Sequence, residues 1–128
     1  MFFRRETIAQ RWWRTTPVIA ASLLIYWVSS IPDATPPDLG FEWQDKVFHA
    51  VAYLVYGVAM FLAVWAWART RSTTSILWIG GILAALYAVA DEWHQSFVPG
   101  RHATLDDAVA DIVGIFLAAF LFRLLLRR

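Results

Sequence analysis

Val47 to Trp67 reads VFHAVAYLVYGVAMFLAVWAW, twenty-one residues with no acid, no Lys or Arg and one imidazole, His49. At about 1.5 Å of rise per residue such a helix is about 30 Å long, which is the thickness of a bilayer's hydrocarbon core. This stretch predicts a membrane-spanning helix, and the rest of the chain falls into place around it. Residues 108–126 form a second long apolar run. Two shorter runs, 16–31 and 76–95, complete a set of four, the latter reaching normal length only when its polar end, Asp91 to Gln95, is included. The cost of an acid at the membrane edge is the first hint of function.

Composition agrees. Of 128 residues, 59% are hydrophobic and 16% charged, against roughly 45–50% and 25% for soluble domains. The expected fold is all-α, an integral membrane four-helix bundle forming one domain over residues 1–128. The absence of Cys excludes disulfides, thiolate nucleophiles and Cys-ligated metals. A net charge of +1 without an exposed basic block argues against nucleic acid as a partner.

Charge sets the expected orientation. Arg4, Arg5, Arg11, Arg14, Arg69, Arg71, Arg123, Arg127 and Arg128 fall on one side of the four spans; the other side holds nine of the ten acids and all three His. By the positive-inside rule both termini are cytoplasmic, the protein sits in the cytoplasmic (inner) membrane, and the two hairpins present their tips outside. The Trp residues sort likewise. Trp12, Trp13, Trp65, Trp67 and Trp78 lie at inner ends and Trp27, Trp43 and Trp93 at outer ends, where amphipathic rings favour the headgroup level. The first span also has the outline of a signal peptide, with Ser29, Ser30 and Ala34 as small residues. Its long basic segment argues instead for a retained helix.

The polar residues converge near the outer face. Asp45, His49 and Tyr53 recur every fourth residue, with Lys46 and Tyr56 on the same arc at about 100° per residue. Tyr87, Asp91, His94 and Gln95 share an arc of the third span, with Glu92 about 60° beyond its edge. Asp107, Asp111, Gly114 and Ala118 line one face of the fourth. Acids at this depth turn inward and find partners, and Gly114 with Ala118 admits a close helix neighbour. The expectation is an outward-opening cavity lined by His49, Tyr53, Asp91, Glu92, Gln95, Arg101 and Asp111. Asp107, directly before the fourth apolar run, reads equally as a helix N-cap or a ligand. Arg101, after Pro99-Gly100, reads equally as a partner for Asp91 or Glu92 or as a clamp on a phosphate or carboxylate.

Asp45-Lys46-x-x-His49-x-x-x-Tyr53, then Asp91-Glu92-x-x-Gln95-x-Phe97-Val98-Pro99-Gly100-Arg101, then Asp107-x-x-x-Asp111-x-x-Gly114 resembles the VanZ-like family of small multi-span membrane proteins, in order and spacing, over residues 45–114. Asp111 stands where that family often has Asn, and Thr104 where Ser is common. The resemblance implies a cell-envelope protein, with a glycopeptide (teicoplanin) resistance phenotype attached to the namesake. It implies no reaction and no cofactor.

Three classes of function are open. In a binding protein, Asp45, Lys46, His49, Tyr53, Asp91, Glu92, Gln95, Arg101, Asp107 and Asp111 would receive a lipid-linked cell-wall precursor or a lipoglycopeptide, with membrane lipids as neighbours. In a hydrolase or transferase, His49 would act as general base beside Asp111 or Asp91, with Glu92 as acid. No cofactor is evident from the residues alone, and one His with carboxylates from separate helices is weak ground for a metal. An ion-coupled transporter would need acids deep in the spans, whose inner halves are apolar.

Overall fold

A computed structural model describes residues 7–126. It consists of four helices: α1 (Ile8–Ser29), α2 (Gln44–Trp67), α3 (Thr73–Gln95) and α4 (Leu105–Leu126). The fold is the expected all-α four-helix bundle, and α2, α3 and α4 are each long and apolar enough to cross a membrane. Arg4, Arg5, Arg127 and Arg128, assigned to the basic face, lie outside the described residues.

Each of α1, α3 and α4 starts earlier than its apolar run, and the reasons are local. Thr7 caps α1, accepting from the Gln10 amide while the Gln10 side chain accepts from its own. The helix then runs straight through Pro17. A proline there offers no N–H to the carbonyl four residues back, and the Thr16 hydroxyl donates to that Trp13 oxygen at 2.6 Å instead. Ser72 caps α3 by accepting from the Ser75 amide at 3.1 Å.

Successive helices run antiparallel. The end of α2 meets the start of α1, where the Trp67 indole donates to Thr15 at 2.9 Å. The Arg11 guanidinium lies 5.7 Å from the Trp67 ring, and Arg14 and Arg69 lie 5.0 and 4.2 Å from the Trp65 ring. At the opposite end the two remaining connections lie side by side, with the Asp33 amide donating to the Pro99 carbonyl at 3.2 Å. Gly100 is at φ +73°, and a Cβ there would stand 1.7 Å from Asp33 Oδ1, so this contact demands glycine twice over. One end of the bundle is therefore basic and aromatic, the other acidic.

α2 and α4 are parallel and nearly in backbone contact. A Cβ on Gly114 would sit 2.3 Å from the Ala50 carbonyl oxygen and 2.9 Å from the Leu54 nitrogen. Gly57 in turn faces Ala118, whose Cβ is 2.7 Å from where a Gly57 Cβ would be. Without a hydrophobic drive between helices in lipid, such backbone approach is the main source of packing energy. Below this level Tyr53, Tyr56, Phe61 and Phe122 fill the interior, with Gly80 leaving room for the Phe61 ring. Outward faces carry Leu23, Ile82, Leu86, Val113, Phe116 and Phe120, all exposed. Apolar surface this extensive suits lipid and not water.

Candidate functional site

Two groups of polar side chains occupy the acidic end. The first lines a cavity of about 420 Å³ between α1, the 30–43 connection, α2 and α3. Leu24, Ile25, Val28, Phe48 and Ala52 make its apolar walls; Asp45, His49, Tyr53, Asp91, Gln95 and Arg101 give it polar groups. A hydrogen-bonded chain runs across it. Tyr53 donates to Asp91 Oδ2 at 3.0 Å, Gln95 Nε2 donates to the same oxygen at 3.3 Å, and Gln95 also donates to Ser29 Oγ at 3.1 Å. All four residues are buried, so these bonds ligate α1, α2 and α3 in one network.

The second sits where α2, α3 and α4 meet. His49 Nδ1 donates to Asp111 Oδ1 at 2.8 Å and lies 3.7 Å from Glu92 Oε1, while its Nε2 lies 3.7 Å from Asp107 Oδ1. Asp111 is wholly buried and Glu92 is 9% exposed. His49 belongs to both groups, since it also faces the cavity. Lys46 bridges Asp45, at 2.7 Å, and Asp107.

Three expectations change against these positions. Glu92 and Asp111 do not line the cavity; they lie behind it, in the interface with α4. α3 turns Glu92 inward because the helix is flanked on two sides, by α2 and by α4, so an arc 60° wider than one interface is still interior. Asp107 is not the N-cap of α4. Thr104 is, its hydroxyl accepting from the Asp107 amide at 3.3 Å while Asp107 Oδ2 accepts from the Thr104 amide at 3.1 Å and hydroxyl at 2.8 Å. Asp107 is thus the third-residue partner of a capping box, with its other oxygen on Lys46. Arg101 pairs with neither Asp91 nor Glu92. It donates to the Ala34 carbonyl at 2.8 Å and so holds the 30–43 connection over the cavity.

Some participants were not foreseen. Ser29 lies on the first span, which carries no motif, yet it is the acceptor that brings α1 into the network. Ser22 and Ser29 are seven residues apart, two helical turns, and share a face; Tyr87 donates to the Ser22 carbonyl at 2.6 Å. Ser30 Oγ and His94 Nε2, 2.9 Å apart, add a third link between α1 and α3, at the rim, with the Tyr26 ring stacked on the imidazole.

Taken together, the acidic end offers a half-buried imidazole held by carboxylates, an amphipathic cavity beside it, and a strap across the top. Searches of curated proteins and of solved structures found no match. The VanZ/LLP1 family model does match, over residues 1–126, which takes in all three segments that build the site. The chain is a membrane protein of the VanZ/LLP1 family.

Proposed function

We propose that this protein uses the cavity at its acidic end to bind the head of an amphiphilic envelope molecule, a lipid-linked cell-wall precursor or a lipoglycopeptide, and so contributes to glycopeptide (teicoplanin) tolerance. In this reading all four helices span the cytoplasmic membrane, both termini are cytoplasmic and the cavity opens outward. The sorting of Arg11, Arg14 and Arg69 to one end and of the acids to the other supports that orientation.

The observation that carries the proposal is the composition of one cavity wall against the other. Leu24, Ile25 and Val28 of α1 are apolar and open on the lipid side, whereas His49, Tyr53, Asp91 and Gln95 gather hydrogen-bonding groups opposite them. A pocket with a broad apolar lining and a few convergent polar groups is the usual form of a small-molecule site, and here its two sides match the two halves of an amphiphile. Arg101 spends one N–H on Ala34 and keeps others for a phosphate or carboxylate.

A hydrolase or transferase acting on the same lipid is the second reading, favoured by one contact. The 2.8 Å bond from His49 Nδ1 to Asp111 fixes the ring so that Nε2 is free to act as a base.

Two measurements separate these. Expressed at equal level in a teicoplanin-sensitive host, His49→Ala, Asp91→Asn and Arg101→Ala should each remove the tolerance conferred by the wild type, with membrane insertion intact. Wild-type tolerance in all three would refute the proposal. Incubation of the purified protein with envelope lipid extract, read by mass spectrometry, should give a stoichiometric unchanged lipid; repeated turnover to a new product would establish the enzyme instead.

A further inference from the structure

The polar cluster where α2, α3 and α4 meet contains more negative charge than its hydrogen bonds account for. Neither oxygen of Glu92 accepts a hydrogen bond, and neither does Asp111 Oδ2, though all three atoms are buried. Among the described residues, no Lys or Arg lies within 4 Å of Asp91, Glu92 or Asp111; Lys46 is taken up by Asp45 and Asp107. Buried polar atoms without partners are rare in native proteins, and such a group calls for an explanation. Acids inside a membrane bundle carry that demand further, because water is not at hand to meet it.

We propose that His49, Glu92 and Asp111 form a binding site for a divalent transition-metal cation of the Zn²⁺ or Mn²⁺ type. One ligand atom from each residue falls within 4.8 Å of the others. His49 Nδ1 is 2.8 Å from Asp111 Oδ1 and 3.7 Å from Glu92 Oε1. Two atoms each about 2.1 Å from one ion are separated by roughly 3 Å at a right angle and nearly 4 Å at a wider one, so both spacings fit a shared cation. A cation would take the place of the proton that His49 Nδ1 shares with Asp111, and would give Glu92 the partner it lacks.

The donor set selects the ion class. One imidazole with two carboxylates suits Zn²⁺, Mn²⁺ and similar ions; Mg²⁺ and Ca²⁺ prefer all-oxygen sites. Three protein ligands leave at least one coordination position for water or an anionic oxygen. His49 also faces the cavity, which places that position within reach of a bound headgroup. This role for the ion rests on the cavity reading given above; the binding of the ion does not.

The test uses full-length protein in detergent, stripped with EDTA and re-equilibrated with ZnCl₂ or MnCl₂ alone. Elemental analysis should find about one ion per chain, and calorimetry should show affinity at least about tenfold weaker in Glu92→Gln and Asp111→Asn, with His102→Gln unchanged. Each near-isosteric variant should unfold thermally near the wild-type midpoint without metal, and only the wild type should gain a higher midpoint when metal is added. Failure to retain either ion, or equal affinity in wild type, Glu92→Gln and Asp111→Asn, would overturn the site. Lipid content of the same samples keeps the two proposals apart. An ion retained without lipid leaves the metal site standing and removes the headgroup reading; lipid retained without any ion does the reverse.

Discussion

Two cavities of almost equal volume open into this bundle, about 420 Å³ at the acidic end and about 430 Å³ between α3 and α4 toward the basic end. Size does not distinguish them; chemistry does. The second is walled by Phe61, Leu77, Trp78, Ile82, Ile115 and Phe116, with Arg123 at its edge, and lipid chains can fill such a space without any specific recognition. The first sets a buried hydrogen-bonded network against an apolar wall. The comparison teaches that the site was made by bringing three polar stripes to one depth, and that the close α2–α4 contact does this by setting His49 beside Asp111.

That contact is where the comparison breaks most severely. Gly114→Val would drive a side chain into the backbone of α2 at Ala50 and Leu54, separating α2 from α4 and destroying both cavities. We expect a loss of about 3 kcal/mol or more, at the upper end for overpacked sites, read as loss of monodisperse protein in detergent. A smaller change should strike one cavity alone. Tyr53→Phe removes the hydroxyl donated to Asp91; the cost should be about 1–2 kcal/mol for a buried acceptor deprived of a partner, with lipid retention reduced. Least of all, Arg14→Ala takes away one of the two guanidinium contacts on Trp65. About 0.5–1 kcal/mol is expected for a contact of this kind, with ligand retention unchanged. An equal loss of lipid in Arg14→Ala and Tyr53→Phe would mean that the two ends are not functionally distinct.

How much of this was legible in the chain follows from which interactions are periodic. The spans, and the pairing of His49 with a carboxylate from another helix, came from spacing and from the cost of charge in lipid; so did the role of Gly114. The exact polar contacts did not. Arc arithmetic set Glu92 beyond the edge of the Asp91 stripe, where the structure has it; the expectation that it lines the cavity failed because α3 packs on two neighbours, and Glu92 faces the second. Asp107 was read as an N-cap or a ligand because it directly precedes the apolar run, and only the bond directions show that Thr104 caps and Asp107 answers. The start of α1 was not visible as an apolar run because its first two turns carry Gln10, Arg11 and Arg14. Ser29 was overlooked because one hydroxyl on an apolar helix carries little signal until its partner, Gln95, is known.

In the proposed function the cavity walled by α1, and not its equal in volume, holds the amphiphile. Ala52 lines the first and Ala85 the second, so Ala52→Trp and Ala85→Trp fill them one at a time. Native mass spectrometry of the detergent-purified proteins after exposure to envelope lipid extract is the direct measurement. Wild type and Ala85→Trp should carry one lipid per chain and Ala52→Trp none; retention in Ala52→Trp with loss in Ala85→Trp would contradict the account.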